Sequence, residues 1–258
     1  MVFSYLSAGD PPPVQTYLAK HRLILSVEHA GRATPKSLGD LGVSETDQQR
    51  HVWYDIGMDR IPMLLRDQLG CSLVQSTYSR LVLDANRWPG DPTAIPAQSD
   101  DVQVPANVDL SHAEIAARHQ VFHVRYHAAL AQVCDTIASF DPADIGGAPI
   151  HLSLHSMTDC LATHPVPRPW EITFLHNEDD RLARQLHDWF VGRGMTSALN
   201  EPYDAHGNTG FSLYSHGYAR GWRHCALEIR QDLISTEKGC QQWADHLAAA
   251  LNDVMAEI

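Results

Sequence analysis

No cysteine pair, no long apolar run and no basic cluster marks this sequence, and each absence closes off a class of protein. The five cysteines (Cys71, Cys134, Cys160, Cys225 and Cys240) are odd in number and widely spaced, with no Cys-x-x-Cys pair. That usage argues against a disulfide framework and for reduced thiols in a cytoplasmic protein. No apolar stretch approaches the roughly 20 residues of a membrane span, and no charged-then-apolar signal segment opens the sequence. Lys and Arg number 19 against 31 Asp and Glu, a formal net charge of −12. Nucleic acid needs clustered cations to neutralise its phosphates, so it is not an expected partner, and neither is an anionic membrane surface. A Gly-x-Ser-x-Gly elbow is also missing, which removes the main sequence signal for a serine hydrolase. The expectation is a soluble cytoplasmic enzyme of 258 residues, enough for one sizeable α/β domain.

Strand and helix signals alternate along the whole chain. Residues 1–20, with Pro11-Pro12-Pro13, read as an irregular arm leading into a buried strand around 22–28. Capping oxygens at Ser44–Asp47 predict a helix running to Leu69 and stopped by Gly70, with Pro62 as a kink. Strands are predicted at 71–77, 81–85, 149–154, 171–175 and 225–230. Further helices are predicted from the Ser111-x-x-Glu114 capping box to Phe140, from Asn177 to Val191, and over 236–257. The Pro- and Asp-rich stretch from Trp88 to Asp109 exceeds the usual loop length and is a candidate lid. This alternation predicts a single domain (1–258) with a mixed, mostly parallel central sheet and helices on both faces.

Two short runs carry most of the functional signal. Leu23-Ile24-Leu25-Ser26-Val27-Glu28-His29 and Ile150-His151-Leu152-Ser153-Leu154-His155 each end a predicted strand on a histidine. In an open α/β sheet, ligands bind at the carboxyl ends of the strands. Two imidazoles on one such rim are candidate ligands for a single transition-metal ion, with zinc the usual choice in a hydrolytic site. Glu28 and His29 point to opposite sides if the strand persists, so only one of them faces the pocket. Ala30-Gly31 lets backbone or ligand approach closely. Ser156 and Thr158 are candidate supports for His155. A third run, Ala226-Leu227-Glu228-Ile229-Arg230, ends a later strand with a candidate general base, Glu228. By the strand period of two, Arg230 shares its face and is positioned to orient the base or hold developing oxyanion charge. In Tyr78-Ser79-Arg80-Leu81-Val82-Leu83-Asp84-Ala85-Asn86-Arg87, two guanidinium groups are available for a substrate carboxylate.

Asp84-Ala85-Asn86-Arg87-Trp88, Leu154-His155-Ser156 and Glu228-Ile229-Arg230 stand in the order of three signatures of the zinc carboxypeptidase superfamily. The fuller pattern is similar to the N-formylglutamate amidohydrolase family within that superfamily. It adds His29-Ala30-Gly31, a helix carrying Asp55 and Asp59, Tyr78-Ser79-Arg80, and Tyr126-His127, and it spans about residues 22–235. The resemblance implies a zinc-carboxypeptidase-like fold and one zinc ion. It also implies that Asn86 and Arg87 bind a substrate carboxylate, that His155 is a metal ligand and that Glu228 activates water. Carboxypeptidases use His-x-x-Glu, whereas Arg32 stands three residues after His29, and an arginine cannot ligate zinc. The missing carboxylate is assigned to Asp55 on the following helix, with Glu28 as the competitor.

The expected activity is metal-assisted hydrolysis of the amide of a small N-acyl amino acid bearing a carboxylate. His29, Asp55 and His155 would hold the metal, with Glu228 as base and Arg230 beside it. Arg87 and Asn86 would clamp the carboxylate, with Arg80 assisting. His216, after a flexible Gly207–Gly210 stretch, is a further candidate for reaching the site. Two rival readings remain: a carboxypeptidase-like peptidase, and a non-catalytic anion-binding relative, for which Arg32 is the best support. Oligomeric state has no sequence signal.

Overall fold

The computed structural model describes residues 5–206 and 210–258. Its centre is a seven-stranded sheet in the order β1-β3-β2-β6-β9-β7-β8. These strands are β1 (Val14–Tyr17), β2 (Leu23–Val27), β3 (Ser72–Ser76), β6 (Ile150–Met157), β7 (Ile172–Leu175), β8 (Ser197–Leu199) and β9 (Arg223–Arg230). β3, β2, β6 and β9 run parallel, β1 is antiparallel to β3, and β7 and β8 run together antiparallel to β9. A two-stranded hairpin, β4 (Gln98–Ser99) with β5 (Val102–Gln103), lies outside the sheet.

The two faces of the sheet differ in chemistry because the strands alternate. Leu23, Leu25 and Val27 of β2 point one way, with Leu152 and Leu154 of β6 and Cys225, Leu227 and Ile229 of β9. All are buried in one apolar cluster against α1 (Ile61–Leu69), α5 (Arg181–Val191) and α6 (Glu237–Ala256). Fully burying a Leu or Ile contributes about 1.5–3 kcal/mol, so this face supplies much of the stability. The opposite face carries Ser26, His151, Ser153, His155, His224, Ala226 and Glu228, a buried and largely polar set. It is covered by α3 (Val124–Ala138), which packs on Ile24 and Val74, and α4 (Pro142–Ile145) adds Ile145 to that cluster. α2 (His112–Arg118) opens with the Ser111–Glu114 capping box and joins α3 through a π-helical turn at His119–His123. Among the described residues, no helix is long and apolar enough to cross a membrane.

Several expectations need correction. The arm at 1–20 contributes β1, which pairs with β3. The helix expected over 44–69 reduces to a 3-10 turn at Asp47–Gln49, hydrogen-bonded turns, and α1 from Ile61. Pro62 lies in the first turn of α1, where no amide donor is needed, so it helps to start that helix rather than kinking one. Upstream, Gly57 takes φ +84° against Ile234, a left-handed turn that breaks any longer helix. Residues 81–85 are not a strand. Leu81, Val82 and Leu83 are buried as expected, but the backbone turns. The Leu81 carbonyl accepts from Asn107 Nδ2 at 2.8 Å and the Val82 carbonyl from Arg118 Nη1 at 3.2 Å, in place of a neighbouring strand. The 88–109 stretch packs inward through Ala94, Val102 and Val104, and none of these residues lines the principal cavity. Of the Gly207–Gly210 stretch, residues 207–209 lie outside the described set.

Candidate metal centre and cavity

The site is assembled at the carboxyl ends of β2, β6 and β9, with His155 and Glu228 inside their strands and His29 just beyond β2. Beyond Val27 the chain turns, and the His29 carbonyl accepts from the Asp55 amide at 2.9 Å, fixing Asp55 beside it. Asp55 is thus held by a turn rather than by a helix. Gly31 permits the next contact: a Cβ there would lie 2.3 Å from the Thr77 carbonyl carbon. The close approach expected at Gly31 is therefore made to backbone, and it aligns Ala33 with Tyr78. The 78–87 segment then runs past His29. On the other side, β6 and β9 pair in register so that His155 lies opposite Glu228.

His29, Asp55 and His155 converge, all of them buried. His29 Nδ1 lies 3.3 Å from Asp55 Oδ2, His155 Nδ1 lies 3.0 Å from the same oxygen, and the two Nδ1 atoms are 3.1 Å apart. Each imidazole is held from behind. His29 Nε2 meets Asp84 Oδ1 at 2.7 Å, and His155 Nε2 lies 3.2 Å from Glu28 Oε2 and 2.9 Å from Ser153 Oγ. In the neutral tautomers that give the far N–H groups to those carboxylates, both Nδ1 atoms present lone pairs toward a carboxylate oxygen. Three acceptors facing one another repel unless a cation lies among them. Carboxylate-backed histidines are the usual support of metal ligands. A tetrahedral zinc site with bonds near 2.1 Å separates its donors by roughly 3.4 Å, slightly wider than the 3.0–3.3 Å seen here. The residues fit a divalent cation.

The electrostatics call for positive charge at this point, from a proton on His155 or from a bound cation. Burial opposes a charged His155, yet Asp55 and Glu28 outweigh it and raise its pKa well above the ordinary value. Burial likewise opposes the Asp55 carboxylate, and His29, His155 and Arg80 overcome it, holding Asp55 ionised. Arg80 bridges the system, with Nη1 3.1 Å from Asp55 Oδ1 and Nη2 2.8 Å from Asp84 Oδ2. Glu228 differs. Its burial dominates, opposed by His155 and reinforced by Asp55, and its pKa is pushed up to about 7.

These groups line a cavity of about 400 Å³ that also admits Asn86, Arg87, Tyr203 and Leu213. Arg87 is the more accessible cation, its side chain 40% exposed and its Nε 3.8 Å from Asp84. Asn86 is fixed by the Ser212 amide on Oδ1 at 3.2 Å, and its Nδ2 lies 3.4 Å from His155 Nε2. The structure does not bring two of the sequence candidates to the cavity. Arg230 turns to Asp232 at 2.7 Å and to the carbonyls of Arg168 and Pro169, a salt bridge at the strand end that removes it from Glu228. His216 sits in a π-helical turn (Leu213–Gly217) and stacks on His127 at 5.2 Å, with Nε2 3.0 Å from His127 Nδ1. Burial lowers its pKa to about 4. Glu28 touches the site, but from behind His155, with Tyr126 and Ser153 as its other partners. Arg32 lies away from the triad, stacked 4.4 Å over the Tyr54 ring.

Sequence reasoning missed three contributors. Ser153 rather than Ser156 or Thr158 supports His155, and the period-two pattern His151-x-Ser153-x-His155 was the available signal. Asp84 was legible only as part of a signature, without its role of backing His29. Tyr203 lines the cavity with the Arg168 guanidinium 5.1 Å from the tyrosine ring, and no local pattern announced it.

Comparison with known proteins places this arrangement. The chain superposes on a crystal structure of a gene product from Agrobacterium tumefaciens with a TM-score of 0.90, at 28% identity over 98% of this chain and 99% of that one. It is also similar to the crystal structure of N-formylglutamate amidohydrolase from Ralstonia eutropha, with a TM-score of 0.70 at 20% identity, covering 96% and 98% of the two chains. At that identity the second likeness speaks for the fold. No curated protein matches the sequence. The sequence profile of the N-formylglutamate amidohydrolase family matches residues 21–235, and the chain belongs to that family.

Proposed function

We propose that this amidohydrolase is zinc-dependent and removes the acyl group from a small N-acyl amino acid through its free carboxylate-bearing end. The observation that carries the reading is the convergence of two carboxylate-backed imidazoles on Asp55, beside the buried Glu228. His29, Asp55 and His155 would hold the ion. Bound there, it would supply Lewis acidity, making water acidic enough to lose a proton near neutral pH. Glu228 accepts a proton from water on a carboxylate oxygen as the water oxygen bonds to the amide carbon. The same carboxyl then delivers that proton to the nitrogen as the C–N bond breaks. A base with a pKa near 7 suits both halves of this exchange. Arg80 keeps Asp55 and Asp84 aligned, a positioning role in place of direct substrate contact.

Arg87, with Asn86, is the carboxylate clamp: its guanidinium reaches the cavity and is not consumed by a close carboxylate. The test compares each N-acyl amino acid with its carboxamide analogue. Arg87→Ala is expected to raise KM for the carboxylate form by at least about tenfold, the loss of one charge-assisted pair, with little change for the carboxamide. An equal loss on both would remove Arg87 from the clamp. A peptidase reading has less support, because a cavity of about 400 Å³ leaves little room for a peptide.

A further inference from the structure

The charge inventory of the cavity narrows the substrate further, on the reading that this site hydrolyses N-acyl amino acids. Two arginines line it, and one of them is already used: Arg80 is bonded to both Asp55 and Asp84. Among the described residues, that leaves the Arg87 guanidinium for an anionic ligand. Four carboxylate residues share the lining, namely Asp55, Asp84, Asp204 and Glu228. Arg168 stays behind Tyr203, 8% exposed, donating to the Thr158 carbonyl at 3.2 Å. A substrate with two carboxylates would therefore find one available guanidinium for two charges among the described residues.

Another part of the lining has a different chemistry. Leu175, Ala205, Leu213 and Ala226 form a small apolar cluster, each at most 8% exposed, and all four face the cavity. Ala226 lies two residues before Glu228 on β9 and pairs in register with Leu175 of β7. The apolar wall thus adjoins the proposed base on one strand face and offers aliphatic surface to a group attached next to the scissile amide. A carboxylate placed there would be desolvated without a donor, which proteins strongly disfavour.

We infer that the substrate is an N-acyl amino acid with a single carboxylate and an aliphatic side chain, held by Arg87 at the carboxylate and by the Leu175–Leu213 wall at the side chain. The test uses the metal-loaded protein with N-formyl-L-leucine and N-formyl-L-glutamate as probes. It reads kcat/KM on the wild type and calorimetric Kd on Glu228→Gln. The leucine compound is expected to win by at least about tenfold in both readouts, within the range that one pocket contact can discriminate. Leu213→Arg, which sets a second guanidinium in the apolar wall, is expected to shift the ratio at least about tenfold toward the glutamate compound. Equal or better handling of N-formyl-L-glutamate by the wild type would overturn the inference while leaving the hydrolase reading intact. Preferential binding of the leucine compound without turnover would do the reverse. Failure to bind either compound would overturn both.

Discussion

Replacing Glu228 with glutamine is expected to lower kcat by about 10²- to 10⁴-fold, the usual contribution of a positioned acid–base group, while the bound metal stays at wild-type stoichiometry. The substitution keeps the side-chain volume, so the cavity and the register of β9 against β6 are undisturbed. Glu228 is not one of the three convergent donors, and the metal has no reason to leave. What is lost is a carboxyl whose pKa burial pushes up to about 7, able to take a proton from water and return it to an amine. A glutamine can do neither. Parallel measurement of kcat and of metal content checks the assignment. Unchanged turnover would move the base elsewhere in the cavity, and loss of metal together with activity would make Glu228 a ligand.

His155→Ala is expected to reduce bound metal from about one equivalent to below about a tenth and to abolish activity with it. Two of the three converging donor atoms would remain, and structural or catalytic zinc sites need at least three protein ligands. The variant also strands two buried carboxylates, because His155 stands between Asp55 and Glu28. Breaking a buried pair in this way typically costs about 3–5 kcal/mol, so a fall in thermal stability should accompany the metal loss. His216→Ala provides the contrast. His216 packs on His127 rather than on the triad, so that variant should keep its metal even where it loses stability. Retention of stoichiometric metal by His155→Ala would remove His155 from the ligand set, whatever its effect on stability.

The parts of this fold that were legible in the sequence are those written in strict periods. β2, β6 and β9 alternate an apolar face with a polar one, and their ends place His29, His155 and Glu228 on one rim. The capping box of α2 and the apolar stripe of α6 were equally plain. The segments that resisted reading are those whose backbone is satisfied at long range. Residues 81–83 have the composition of a strand, but side chains of Asn107 and Arg118 take their carbonyls, and no local rule reports a partner 26 or 36 residues away. Asp55 was the expected third donor but not in the expected setting, since its amide bonds to the His29 carbonyl rather than within a helix. Arg230 shows how face periodicity can mislead at a strand end. Asp232, two residues on, captures the guanidinium that the pattern directed at Glu228. Tyr203 comes from an irregular segment after β8 and had no pattern to announce it.

The central claim is that one cation sits among His29, Asp55 and His155. Anomalous diffraction from crystals of the wild-type protein, collected on both sides of the zinc absorption edge, tests it most directly. The account predicts a single strong peak within about 2.0–2.2 Å of His29 Nδ1, His155 Nδ1 and an Asp55 carboxylate oxygen, the bond lengths of a zinc site. A zinc-replete crystal with no peak there, or with the metal bound by other side chains, would contradict it.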